Sequence, residues 1–88
     1  MSRFSTFLRR VFRGSAVLGR ALAYAMPLVL LDVRAGRAKT DAEIRASAKQ
    51  HVSAYLALRY PGYEFLIDAA VTAVVDAVRA ALRKHSVN

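Results

Sequence analysis

The side chains that could perform acid–base or metal chemistry are few. His51 and His85 are the only histidines and the chain has no cysteine, so neither histidine has a second ligand at metal-binding spacing. Glu64 and Asp68 lie four residues apart, which places both carboxylates on one face of a helix. Two carboxylates at a helix N-terminus are also explained by the helix dipole. The sequence therefore predicts a non-enzymatic protein with no catalytic residues, no cofactor and no metal site.

The charge of the chain is concentrated in its first part. The formal net charge is +8 over 88 residues; residues 1–39 hold eight basic side chains against Asp32, and residues 40–88 are nearly balanced. This asymmetry indicates an anionic partner, which would be a nucleic-acid phosphate backbone, an anionic membrane or an acidic protein surface. We predict that the basic contacts are made by arginines of this N-terminal arm, at Arg3, Arg9, Arg10, Arg13 and Arg20.

Residues 4–26 have the spacing of one long amphipathic helix. Apolar side chains recur at four- and three-residue steps from Phe4 to Ala25, which lines one helix face. Pro27 lacks a backbone N–H, so the sequence predicts a break or kink at about Ala25–Met26. The apolar run after Pro27 is read as either a short strand or a new helical turn, ended at Gly36. The predicted apolar contact face of the arm consists of Phe4, Phe7, Leu8, Val11, Phe12, Leu18 and Leu22.

The second part of the chain has the pattern of a helical hairpin. Thr40 and Glu43 form a capping box that starts a helix at Asp41, and Tyr60-Pro61-Gly62 ends it and turns the chain. The predicted helices span about 41–60 and 63–85. His51 borders the apolar face of the first, and three tyrosines surround the turn. The residues predicted to pack the hairpin are Ile44, Val52, Tyr55, Leu56, Ile67, Val71, Val74, Val78 and Leu82.

Together these patterns predict an all-α chain with two parts: a basic arm, 1–39, with a break at Pro27, and a helical hairpin, 40–88. A chain of this size buries only about 60–65% of its unfolded surface as a monomer. Its hydrophobic fraction of 56% nevertheless exceeds the usual value of roughly 45–50%. The sequence therefore predicts an oligomeric protein whose core is completed by copies of itself, another subunit or a membrane.

Residues 42–79 resemble the C-terminal region of some small bacteriophage holins. The resemblance covers a capped helix, the Tyr60-Pro61-Gly62 break, and a helix containing Leu-Ile-Asp-Ala-Ala-Val at positions 66–71. It implies a phage origin, placing the chain in a virion or in the host cytoplasm or inner membrane. A holin also needs an apolar N-terminal span; the corresponding window, residues 14–33, is long enough but carries Arg20 and Pro27.

Three functions follow as expectations. The first is a structural or assembly subunit of a larger complex, such as a phage virion, whose arm engages neighbouring subunits, nucleic acid or lipid. The second is a membrane-active, holin-like protein. The third is a nucleic-acid-binding accessory protein, whose affinity would fall steeply with salt because phosphate contacts displace counterions.

Overall fold

The part of the chain that the structure describes is all-helical and has three α-helices. The computed structural model describes the backbone of residues 2–86 and the side chains of residues 14–84. Helix α1 spans Ser2–Arg34, α2 spans Asp41–Arg59 and α3 spans Ile67–Ser86, with one 3₁₀ turn at Glu64–Leu66 before α3. Each helix packs against the other two. The helix predicted at about 41–60 agrees closely with α2. Helix α3 starts four residues later than the helix predicted at about 63–85, because the 3₁₀ turn precedes it.

The predicted break at Pro27 is wrong, because α1 continues through the proline as one helix. Pro27 lies on the solvent-facing side, and Ala23, whose carbonyl loses its usual N–H partner, is also exposed, so water can bond that carbonyl. A proline inside a helix costs about 3 kcal/mol. Ala25 and Val29 are fully buried on either side of it, and burying one valine contributes roughly 1.5–3 kcal/mol. Packing therefore holds this segment helical, and residues 27–33 are helix rather than strand.

The end of α1 confirms the stop predicted at Gly36. Gly36 has φ +79°, a conformation that costs glycine little. Its N–H donates to the Val33 carbonyl at 3.1 Å, and the Arg37 N–H donates to the Asp32 carbonyl at 2.9 Å. These two bonds form a Schellman motif, which satisfies carbonyls that the helix end would leave unpaired.

The capping box at the start of α2 is also confirmed. The Glu43 N–H donates to Thr40 Oγ1 at 3.2 Å, and the Thr40 N–H donates to Glu43 Oε1 at 3.1 Å. Because the Glu43 carboxylate accepts this backbone N–H, its pKa lies below the ordinary value. The turn between α1 and α2 is therefore fixed at both ends, by the Schellman motif and by the capping box.

One core lies between the three helices, and α1 contributes to it as fully as α2 and α3 do. Most of the side chains at its centre are alanines and valines, which let the helix axes approach closely. Residues 17–29 of α1 thus share a core with residues 44–78 of α2 and α3. The residues at the centre, each fully buried, are Ala21, Ala25 and Val29 of α1, Ala48 and Val52 of α2, and Ala70, Val74 and Val78 of α3.

The N-terminal part of α1 runs past the end of the bundle. Contacts between α1 and α2 pair Asp32 with Ser47, Tyr24 with Tyr55 and Arg20 with Tyr60, so the two helices are antiparallel and the α2–α3 turn lies beside Arg20. At 1.5 Å per residue, the 33 residues of α1 span about 50 Å, which matches the 53 Å long axis of the molecule. Residues 2–13 therefore extend roughly 18 Å beyond the level of Gly14.

Candidate functional site

A polar cluster joins the C-terminal end of α1 to α2 and to the intervening turn. Its centre is the Asp32 carboxylate, whose side chain is one-fifth exposed. Ser47 Oγ donates to Asp32 Oδ2 at 2.6 Å, His51 Nε2 lies 3.2 Å from the same oxygen, and Arg37 Nη2 lies 2.8 Å from Oδ1. These groups line an open groove of about 410 Å³. The carboxylate thus has three partners from two other segments of the chain.

The order of the bonds in this cluster differs from a catalytic relay. A serine nucleophile needs a hydrogen bond to its histidine base, and the carboxylate then orients that histidine. Here the Ser47 hydroxyl donates a hydrogen bond to Asp32, and His51 contacts the same carboxylate oxygen. Asp32 therefore competes with His51 for the Ser47 hydroxyl instead of positioning an activated pair. The geometry is that of a structural hydrogen-bond network that joins α1 to α2.

The same bonds hold the pKa of the Asp32 carboxyl at about 2, below its ordinary value of 3.8. The Ser47 hydroxyl lowers this pKa most, followed by Arg37 and His51, because each stabilises the charged form. Since the unfolded carboxyl binds a proton more tightly, its contribution to stability is complete above about pH 4 and is lost as the pH falls towards 2.

We therefore predict that Asp32→Asn destabilises the bundle at pH 7 and that this deficit shrinks as the pH falls from 4 to 2. Urea unfolding followed by circular dichroism at pH 2, 3, 4, 5 and 7 would measure it. Asp76→Asn is the matched control, since Asp76 is an exposed carboxylate on α3. A deficit for Asp32→Asn that stays constant down to pH 2 would contradict the proposed role of these bonds.

An aromatic ladder lies at the opposite end of the α1–α2 contact. Successive ring centroids are separated by 4.6 Å for Tyr24–Tyr55, 5.9 Å for Tyr55–Tyr60, 6.2 Å for Tyr60–Tyr63 and 5.7 Å for Tyr63–Phe65. Such ring pairs contribute about 0.5–1.5 kcal/mol each beyond their buried area. The ladder therefore ties α1 to α2 and to the α2–α3 turn.

Arg20 joins this ladder to α1. Its Nη1 donates to the Tyr60 hydroxyl at 2.5 Å, although the guanidinium itself remains exposed. Arg20, Tyr60 and Tyr63 line an open groove of about 430 Å³ together with Ala16 and Val17. This groove places one cation beside two aromatic rings at the level where α1 leaves the bundle.

The described part of the chain includes one helix that is long and apolar enough to cross a membrane by length and composition. This segment is Gly14–Arg34, with a mean hydropathy of 1.6 over its most apolar window. Only 22% of that window is buried inside the bundle. This apolar segment thus leaves most of its residues outside the buried core. Among the described residues, no group of three or more His, Cys, Asp or Glu side chains could hold a metal ion.

The structure brings some of the predicted site residues together and leaves others untested. The predicted hairpin-packing residues all lie in the core or against it. Leu18 and Leu22 are half-buried and pack against the core, and Arg20 is exposed. Nine predicted contact residues have side chains outside the described part of the chain. They are Arg3, Arg9, Arg10, Arg13, Phe4, Phe7, Leu8, Val11 and Phe12.

Four residues of the two clusters were not predicted from the sequence. Asp32 and Ser47 are fifteen residues apart, and Tyr24 is far from Tyr55 along the chain, so no local spacing joins these pairs. Phe65 lies close in the sequence to Tyr63, the ring on which it stacks. Asp32 did carry one signal, as the single acidic residue of the first 39. A lone carboxylate in an apolar helix needs partners, and this indicates a buried contact.

Comparisons with protein-family models, with curated proteins and with solved structures found no match to this chain.

Proposed function

We propose that this protein is a non-enzymatic structural subunit of a larger assembly, such as a phage virion. In this proposal the α2–α3 pair acts as a helical hairpin that supplies the specific protein contact. The basic, amphipathic N-terminal part of α1 engages neighbouring subunits. The observation that supports it most is the continuation of α1 beyond the bundle, which presents a segment containing Arg9, Arg10 and Arg13 with no acidic residue before Asp32.

A neighbouring copy of this chain offers a suitable surface for these arginines. Glu64, Asp68 and Asp76 are all exposed on the 3₁₀ turn and α3. Arginine binds carboxylates through a planar, bidentate contact. A contact between the extended end of one copy and α3 of the next is heterologous, and repeated contacts of this type build rings or filaments.

We expect replacement of Arg9, Arg10 and Arg13 by glutamate to abolish oligomer formation while the chain stays helical, because attraction to the acidic surface becomes repulsion. Sedimentation velocity at physiological salt would measure assembly, and circular dichroism would measure helicity. The matched control replaces Arg45, Lys49 and Arg59 by glutamate, which changes the net charge equally at exposed positions of α2. A monomeric wild-type chain, or an arginine variant that assembles normally, would contradict the proposal.

A second candidate is the membrane-active, holin-like protein, favoured by the length, hydropathy and low burial of Gly14–Arg34. In that role α1 would leave the bundle and span the bilayer, with Arg20 reaching towards the interface. The full chain would then float with vesicles and stay with them in alkaline carbonate. Release from vesicles by carbonate would contradict a spanning role.

A further inference from the structure

One face of α1 carries a row of exposed residues along the bundle. Arg20, Tyr24, Pro27, Leu31 and Arg34 follow one another at steps of four, three, four and three residues, which is the spacing of a single helix face. All five are exposed. We call this row the outer stripe. Its two ends are cationic and its middle is apolar.

The middle of the outer stripe is unusually exposed for apolar side chains. Tyr24 is 47% exposed and Leu31 is 55% exposed, and both lie in the apolar segment Gly14–Arg34. The buried face of α1 is a different row, formed by Val17, Ala21, Ala25 and Val29. The helix therefore has two apolar faces, of which the bundle buries one. On the other face Tyr24 stacks on Tyr55 and Arg20 bonds the Tyr60 hydroxyl, and both Tyr24 and Arg20 stay exposed.

The aromatic ladder continues the exposed apolar surface at the end marked by Arg20. Tyr63 lies against α1 in the groove that Ala16 and Arg20 line, and Phe65, which stacks on Tyr63, is 73% exposed. Aromatic side chains of this kind are enriched where a protein meets the headgroup region of a bilayer. The surface thus combines aliphatic, aromatic and cationic groups in one place.

We propose that the outer stripe is a docking surface for an anionic lipid bilayer, on which the folded bundle lies with α1 against the membrane. Arg20 and Arg34 are fourteen residues apart, about 21 Å along the helix, and would each meet lipid phosphate. Between them Tyr24, Pro27 and Leu31 would enter the boundary between headgroups and acyl chains. Interfacial helices bind in this way, by apolar contact together with attraction to anionic lipid.

Charge argues against a second copy bound along the same stripe. An antiparallel α1–α1 contact would set Arg20 of one copy against Arg34 of the other, and a parallel contact would set each arginine against its equivalent. Both arrangements place like charges together around an apolar centre. Full burial in hydrocarbon is also disfavoured, because Asp32 and its three polar partners would leave water with the helix. A bilayer surface avoids both costs.

The chain provides a clean reporter for this contact, because it contains neither tryptophan nor cysteine. We expect L31W to show a blue-shifted emission on phosphatidylglycerol vesicles and to be quenched by lipids brominated on the acyl chain. A80W is the matched control, since Ala80 is exposed on α3, and its emission should stay that of a solvent-exposed indole. A solvent-exposed L31W on vesicle-bound protein would overturn the proposal.

Binding to the same vesicles gives a second measurement. L31E should weaken binding on the order of tenfold, the effect of losing one buried leucine, whereas A80E should change it little because it adds the same charge elsewhere. Equal losses for both variants would overturn the proposal. A blue shift of L31W without vesicles that grows with protein concentration would also overturn it, by identifying a second copy as the occupant.

This inference goes beyond the proposed assembly role. The outer stripe lies outside the segment that contains Arg9, Arg10 and Arg13, and the position-31 variants leave those arginines unchanged. Loss of vesicle binding with normal oligomers, or the reverse, would therefore show which of the two proposals fails.

Discussion

Leu56→Ala is expected to destabilise the bundle by about 2–5 kcal/mol, the range for deleting a buried leucine side chain. Leu56 is 1% exposed and is the largest fully buried side chain of the core. The other buried residues of the core are mostly alanines and valines, whose short side chains cannot reach far into the space that Leu56 would leave. A domain of this size has a free energy of unfolding of only about 4–13 kcal/mol, so the variant would lose a large share of its stability. Guanidinium unfolding followed at 222 nm would measure the loss.

Leu58 provides the matched control two residues later on the same helix. It is 80% exposed, so Leu58→Ala makes the same chemical change without opening a cavity. We expect its effect to stay within about 0.5 kcal/mol, as for most surface substitutions. Comparable losses for the two variants would show that Leu56 does not occupy the core position described above.

Ala25→Leu is expected to cost about 1–3 kcal/mol through overpacking. Ala25 is fully buried in α1, and most of the buried core residues are alanines or valines, whose short side chains allow helices to pack closely. A leucine there would have to push α1 away from its neighbours or adopt a strained rotamer. The loss is measurable by the same guanidinium unfolding experiment.

Ala23→Leu is the control for this change, because Ala23 is exposed on the same helix. Leucine and alanine have similar helix propensities, so we expect Ala23→Leu to change the midpoint of guanidinium unfolding little. If Ala25→Leu were instead neutral or stabilising, the helices would be packed less closely than the buried alanines indicate.

Local signals in the sequence were enough to locate the ends of the helices around the first turn. The side chains of Thr40 and Glu43 each accept a hydrogen bond from the other residue's backbone N–H. Gly36 has a positive φ, a conformation that favours glycine. Both signals depend on bonds between near neighbours. The capping box and the stop at Gly36 could therefore be predicted without knowledge of the tertiary structure.

The helix through Pro27 could not be predicted in this way. Proline has a strong local preference against a helix interior, and only tertiary packing opposes it. That packing depends on Ala25 and Val29 meeting residues of α2 and α3 that are far away in the sequence. The local preference of proline disfavours a helix at this position, whereas the tertiary contacts favour one, and the segment is helical.

The contacts of α1 with the two clusters were not predicted, for a related reason. Asp32 and Ser47 are fifteen residues apart, and Arg20 and Tyr60 are forty apart. These pairs become neighbours only when α1 and α2 pack antiparallel, in one particular register. Charge and aromatic composition indicated that such groups exist, but the register that unites them is set by the whole core.

The continuity of α1 has a mechanical consequence. A flexible tail would let a tethered bundle rotate independently of whatever holds the tail. An unbroken helix instead behaves as a lever, so that a tilt of about 10° at its packed end displaces a tip roughly 18 Å away by about 3 Å. Any partner that binds residues 2–13 of α1 in a fixed orientation therefore also sets the orientation of the bundle. Copies arranged along a surface or a particle would all face the same way.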